Sequence, residues 1–418
     1  MAQILDLDDW ALSLFAEGQL RYSEPAAALD TRENITFGKA ALAEARIHPR
    51  RVNQSYLSRL NAEPLPQSFH HARNHADLLY HHLRAVVQAY PSLTRDPVLV
   101  CVRSATTPEQ LGLVLGIAEE CGIRIGAFVD RGVATIASLA TSLGAGSGAG
   151  VGRGREHVAF EFGAEQGELC HVNLGTEASR LRLREFPGHG LNQIQDGWVN
   201  IIADYFIRNS RFDPLHAATT EQQLYDTVRA WFASGEQAGT IALEHQQETR
   251  RIELQSDELR RKLEDQVGPI LTELTGSSTI CLGPNASKTP LLSALLAQSG
   301  FLVHARNRAA VLDYVEQHVS AHINRDEVRF LTTLPVVPGR PDVGYTLPAE
   351  TLTPQSTRTS TSAILKSIPG RPTHGLHSTI AYPIGCSELP AELVGPEPRS
   401  GVTLDINGRL FTLIEVRS

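Results

Sequence analysis

The sequence predicts an α/β protein of two lobes, followed by a small all-β segment. Three observations predict it. Apolar strand-like runs alternate with helical periodicity as far as about residue 325, which is the pattern of helices packed on a mixed sheet. A run dominated by Gly, Ala and Ser at 140–154 divides that alternation, and a run with nothing to bury reads as a flexible joint. Beyond about 325 prolines recur, helical periodicity stops and short β-rich runs take over, as in a small β-domain. The expected bounds are a first lobe over 1–139, the joint at 140–154, a second lobe over 155–325 and a β-domain over 335–418.

In the first lobe Ile4-Leu5-Asp6-Leu7 starts a strand that Trp10 to Phe15 continues after two acids, and Ala16-Glu17-Gly18 turns it into a hairpin. Phe37 to Ala43 reads as a short strand running into a helix. Ala76, Leu79, Leu83, Val86 and Val87 recur at helical spacing and predict a helix over about 74–89. Pro97 to Val102 reads as a buried strand. Thr107-Pro108-Glu109 then opens a helix with an N-cap and a proline at the first position, and Cys121-Gly122 ends it before a strand over 123–129.

The second lobe opens with the apolar run Phe160-Glu161-Phe162, turns through Gly163-Ala164-Glu165-Gln166-Gly167 and returns as Cys170-His171-Val172-Asn173-Leu174. Helices are expected from about Asp196 to Asn209, from Glu221 to Ser234, from a cap at Ser256 to Leu274, from Thr289, and from Ala309 to His322. Thr279 to Gly283 reads as the last strand of this lobe, and Thr379 to Tyr382 and Leu410 to Ile414 as strands of the tail.

With 418 residues the chain can build two or three cores. A net charge of −8 and a pI near 6.1 give no reason to expect nucleic acid or an anionic membrane as partner. No apolar run reaches the roughly 18 residues of a spanning helix, and Met1-Ala2-Gln3-Ile4 lacks a basic-then-apolar leader, so a cytoplasmic location is expected. Cys101, Cys121, Cys170, Cys281 and Cys386 show neither metal spacing nor a disulfide framework. His71, His75 and His82 share roughly one face of their helix, beside His70 and His81; two histidines at i and i+4 can bind zinc, but no cysteine or paired acid completes a site, so a solvent-exposed polar face is expected. Ser104, Ser147 and Ser287 lack a nucleophile-elbow context, and the run at 144–154 is neither a P-loop nor a dinucleotide fingerprint.

Several segments together, by order and spacing, carry a family resemblance. The apolar run that turns at Gly163 resembles the second phosphate hairpin of the actin and DnaK superfamily. Phe37-Gly38-Lys39-Ala40-Ala41 with His48-Pro49-Arg50-Arg51-Val52, Asp196-Gly197-Trp198-Val199-Asn200, Ile252 to Leu259, and Cys281-Leu282-Gly283-Pro284-Asn285-Ala286-Ser287-Lys288 resemble further segments of a DnaK-type heat-shock chaperone. Leu347 to Pro354 and Pro396 to Gly408 are similar to the start and end of its peptide-binding β-domain. The resemblance implies a two-lobed actin-like ATPase fold followed by a small all-β domain, with no helical lid after the tail and no recognisable acidic linker in Val328 to Pro335.

In that family ATP hydrolysis needs carboxylates that hold Mg²⁺ through water, glycine-turn amides that hold phosphates, and a lysine. By resemblance Asp6 and Glu161 match the catalytic, Mg²⁺-holding carboxylates, and Asp6, Asp8, Asp9, Gly163, Arg229, Gly283 and Pro284 fall at cofactor-binding positions. Yet each nucleotide motif is altered. Asp8, Asp9 and Trp10 replace a small polar turn; Ala164 and Glu165 replace glycines; Ile194-Gln195 stands for a third glycine pair; Pro284 has no N–H to donate. The lysine position aligns with Tyr56 or a neighbour, with Arg50, Arg51 or Arg59 the nearest sources of charge, and Arg229, Ala230 and Ala233 replace a Lys-Arg pair and a serine. The resemblance therefore implies a pseudo-ATPase scaffold, without cofactor, that binds a peptide client or a dedicated protein partner. The alternative is a chaperone ATPase that holds Mg-ATP with a rebuilt site of Asp6, Asp8, Asp9 and Glu161.

Overall fold

The chain opens with a meander of antiparallel strands, β1 (Ile4–Leu7), β2 (Ala11–Ala16) and β3 (Gln19–Pro25). It reverses at residues 8–10 and again at Glu17-Gly18, where both residues take positive φ. The expected single hairpin is thus corrected: β1 and β2 pair with each other instead of forming one long strand, because Asp8 and Asp9 bend the chain. A small sheet of β4 (Ala28–Asp30), β5 (Ile35–Phe37) and β6 (Val52–Asn53) follows, with the short helix α1 (Lys39–Leu42) beside it. Helix α2 (His75–Ala89) starts where the Asn74 side chain accepts from the Asp77 N–H. After β7 (Val98–Val102), α3 (Pro108–Glu120) begins with a full capping box from Thr107 and Gln110. β7 joins β1 in parallel and β8 (Ile125–Asp130) joins β7 in parallel, giving the order β3-β2-β1-β7-β8.

The computed structural model describes residues 2–143, 155–234, 239–245, 247–254, 256–274, 279–323, 327–337, 378–383, 403–406 and 409–416. Helix α4 (Arg131–Leu143) follows β8 directly. Every residue from Arg131 to Ala140 is buried, since the helix lies against strands of both large sheets. The expected joint is corrected at its start, for 140–143 are helical; residues 144–154, Ser147 among them, lie outside the described ones.

β9 (Arg155–Phe162), β10 (Gln166–Leu174) and β11 (Glu177–Pro187) form a second antiparallel meander. Helices α5 (Leu191–Ser210) and α6 (Ala218–Ser234), the hairpin of β12 (Thr240–His245) and β13 (Glu248–Glu253), and α7 (Ser256–Glu273) cover this sheet. β14 (Thr279–Leu282) pairs in parallel with β9, α8 (Leu292–Gln298) crosses over, and β15 (Leu302–Ala305) pairs in parallel with β14. The expectation that β14 ends the sheet is therefore corrected. The order β11-β10-β9-β14-β15 repeats that of the first sheet, strand direction for strand direction. Helix α9 (Arg308–His318) packs on α4. Then β16 (Phe330–Leu331) adds in parallel to β8, and β17 (Thr333–Pro335) in antiparallel to β11, so neighbouring residues extend both sheets.

Three apolar clusters result. One lies between the first sheet and α2 and α3, one under α5, α6 and α7, and one where α4 and α9 are held between the sheets. The chain divides into compact units at Met1–Gly344 and Tyr345–Ser418. In the second unit β18 (Ser378–Pro383) and β19 (Thr403–Ile406) flank β20 (Arg409–Val416), which places strands where the tail predicts them. Leu347 to Pro354, Cys386 and residues 396–402 lie outside the described residues.

Candidate functional site

The turn between β1 and β2 and the turn between β9 and β10 meet at the centre of the first unit. The Ala164 amide donates to Asp9 Oδ1 at 3.0 Å, and the amides of Leu191 and Asn192 at the start of α5 donate to the Gly163 and Ala164 carbonyls. Gly163 is needed for this close approach: a Cβ there would sit 2.5 Å from Arg103 Nη1 and 2.9 Å from Asp9 Oδ1. At Gly283 a Cβ would stand 2.5 Å from Glu161 Oε2. Both glycines make room for the protein's own side chains.

Asp6, at the end of β1, and Asp8, in the turn, are wholly buried. Arg131, from the first turn of α4, donates to Asp6 Oδ1 at 3.0 Å and stands 3.2 Å from Asp8 Oδ2. Arg308, the first residue of α9, bonds Asp6 Oδ2 and donates to Asp8 Oδ2 at 2.6 Å. Asn285 donates to Asp8 at 2.8 Å and accepts from Arg308 at 3.1 Å. Arg103 faces Asp9 at 3.5 Å, and the amides of Ser104 and Ala105 donate to Glu168. Glu161 Oε1 accepts from the amides of Phe162, Asn285 and Ala286 at 2.8 to 3.1 Å.

Burial pushes the carboxyls of Asp8, Asp9, Glu161 and Glu168 up, and the arginines decide which of the four stays low. For Asp8 the fields of Arg131 and Arg308 outweigh burial and hold it well below the usual carboxylate range. For Glu161 burial wins over Arg131, and the carboxyl is raised to about 7. Asp9 and Glu168 are raised by burial, with Arg103 opposing. Burial would lower Arg131 and Arg308, but Asp6 and Asp8 raise both. The centre is a closed cluster of Asp6, Asp8, Asp9, Glu161 and Glu168 with Arg103, Arg131 and Arg308. These residues do not fit Mg²⁺: the oxygens of Asp6 and Asp8 already accept from guanidiniums, and a dication there would lie against Arg131 and Arg308. Among the described residues no group of three or more His, Cys, Asp or Glu could hold a metal ion.

Beside the cluster opens a cleft of about 490 Å³, bounded by Trp10, Leu42, Leu191, Arg229, Ala230, Phe232, Ala233, Pro284, Lys288 and Arg308. The Arg229 guanidinium lies 3.6 Å over the Trp10 ring and donates to the Trp10 carbonyl at 3.2 Å. Of the residues singled out by sequence, Asp6, Asp8, Asp9, Glu161, Gly163 and Gly283 come together in or against the cluster, and Arg229, Ala230, Ala233 and Pro284 in the cleft wall.

Others go elsewhere. Ile194 and Gln195 are buried within α5, which starts five residues before Asp196, so they form no glycine-like turn. Tyr56 is buried and meets His82 Nδ1 at 2.6 Å. Arg51 bonds the Asp30 carbonyl, and Arg59 reaches across to Glu165 at 2.9 Å, which answers the charge on that turn. The expected exposed histidine face is corrected: His75 and His82 are buried, and His82 lies between the Tyr22 and Tyr56 hydroxyls, stacked on Phe37.

Sequence reasoning assigns no site role of their own to Arg103, Arg131, Glu168, Arg308, Asn285 or Lys288. A signal exists for two of them. Arg131 and Arg308 each begin a helix, where the helix dipole disfavours a cation, so an acid partner is to be sought.

No protein-family model matches the sequence, and a search of curated proteins finds no match. Among the described residues no helix is long and apolar enough to cross a membrane.

Proposed function

We propose that the first unit is a divergent DnaK-type, actin-like fold whose nucleotide centre has become an internal ion-pair cluster, and that the protein serves as a scaffold for a peptide or protein partner. The observation that carries this reading is the pairing of Asp6 and Asp8 with Arg131 and Arg308. An ATPase of this kind needs those carboxylates open to a hydrated metal and its turn amides open to phosphate. Here guanidiniums engage the acids, Asp9 engages the Ala164 amide, and Glu161 engages the amides that follow β14. The two sheets of matching strand order support the actin-like part of the reading.

The partner-binding part has its support in the second unit. Its outer strands β18 and β19 each pair on one side only among the described residues, which suits addition of an extended peptide strand. The rebuilt Mg-ATP site would require Asp6, Asp8, Asp9 and Glu161 to exchange their present partners for a metal, and is the weaker reading.

Isothermal titration with ATP and ADP, with and without Mg²⁺, tests the proposal. No saturable heat at millimolar nucleotide is expected. Binding tighter than about 10 μM, roughly 7 kcal/mol, would overturn it in favour of the ATPase.

A further inference from the structure

The cleft beside the cluster has the size and lining of a small-molecule site. Its volume of about 490 Å³ lies within the roughly 300–1,000 Å³ of ligand pockets. Trp10, held by Arg229, and Phe232 give it a stiff aromatic wall, and Leu191 and Pro284 extend the apolar surface.

Its charges can be counted off. Arg308 is committed to Asp6 and Asp8. Lys39 stands 3.7 Å from Glu24. Arg229 lies on Trp10 with Asp226 acting on it. That leaves Lys288, which like Arg229 has no acid within ion-pair distance among the described residues but, unlike Arg229, has no acid acting on its charge. A single uncompensated cation in an aromatic cleft calls for a single negative charge on an apolar ring. A polyanion would not suit it, because beyond Arg308 the buried acids outnumber the arginines.

We propose that this cleft binds an aromatic monocarboxylate, its ring against Trp10 and Phe232 and its carboxylate on Lys288. The proposal rests on the reading above only in that the ion-pair cluster closes the deep end of the cleft.

The test uses the full chain in calorimetric titrations with 2-naphthoate, its neutral counterpart 2-naphthalenemethanol, and AMP. The expected order places 2-naphthoate about tenfold tighter than either of the others, the weight of one charge-assisted hydrogen bond. Lys288→Met lowers 2-naphthoate affinity by a similar factor and leaves 2-naphthalenemethanol unchanged, while Ala233→Trp, which fills the cleft, removes binding of both. AMP binding more tightly than 2-naphthoate, an unchanged 2-naphthoate affinity in Lys288→Met, or no saturable 2-naphthoate binding up to about 10 mM would each overturn the proposal. The two readings fail separately: tight Mg-ATP binding defeats the scaffold, whereas silence toward both ATP and 2-naphthoate defeats the aromatic-acid site alone.

Discussion

Arg131 is the only cation that touches both Asp6 and Asp8 from α4, and its side chain is 2 % exposed. Removing one partner of a buried pair strands the other, at a cost of roughly 3–5 kcal/mol. Arg131→Met is therefore expected to lose about that much stability in urea titration, and adding Asp6→Asn, which leaves Asp8 and Arg308 as one balanced pair, to recover most of it. Equal loss in the single and double variants would mean that packing, not charge, sets the cost.

Glu161 gives the centre a pH dependence. Its folded pKa is raised from 4.5 to about 7, so the native state holds the proton more tightly than the unfolded chain. The stability this supplies is whole below pH 4.5 and lost as pH rises to 7, a change of roughly 3 kcal/mol at most. Asp8, held low, acts with the opposite sign and only below its ordinary 3.8. Relative to Glu161→Gln, which still accepts from the same amides, the wild type should lose stability across pH 4.5–7; parallel pH profiles would contradict the assignment. At this scale the acids are legible in the sequence, since charged residues in apolar strands are conspicuous. For their partners the only signal is a cation at a helix start, because Arg131 and Arg308 come from the distant starts of α4 and α9.

Helix α4 shows why some elements escape sequence reading. Its polar residues Arg131, Thr135 and Ser138 recur at helical spacing but are all buried, and its small residues merge into the glycine-rich run that follows. Helix α2 is legible because Leu79, Leu83 and Val86 recur at helical spacing, and α3 because Thr107 and Pro108 mark its start. β11 carries a signal of its own, Arg180, Arg182 and Arg184 alternating with Leu181 and Leu183, and Arg182 and Arg184 meet Glu273. The fit of α4 is close: a Cβ at Gly132 would lie 2.5 Å from Ser104 Oγ and 2.7 Å from Cys170 Cβ. Gly132→Ala should cost about 1–3 kcal/mol by overpacking, read as a lower urea midpoint with an unchanged slope. A neutral or stabilising effect would show that the helix can shift between the sheets.

In the first unit as a whole, two sheets share one strand order, and β16 and β17 tie their outer strands β8 and β11 together. Leu334, in β17, is buried in the cluster between the sheets. Leu334→Ala should lose about 2–5 kcal/mol and weaken both sheets together, seen as one earlier cooperative unfolding transition. Two separated transitions would show that the strap does not couple them. The α/β class and the order of most elements are legible from periodicity and caps; the doubling of the sheet is not, because pairing between β9 and β14 joins segments more than a hundred residues apart.

On the proposed function, arginines and not a metal nucleotide satisfy Asp6 and Asp8. Crystals grown with millimolar Mg-ADP would test it most directly. Arg131 and Arg308 are expected to remain bonded to Asp6 and Asp8, with no metal among them. A hydrated Mg²⁺ between Asp6 and Glu161, with both guanidiniums turned away, would contradict it.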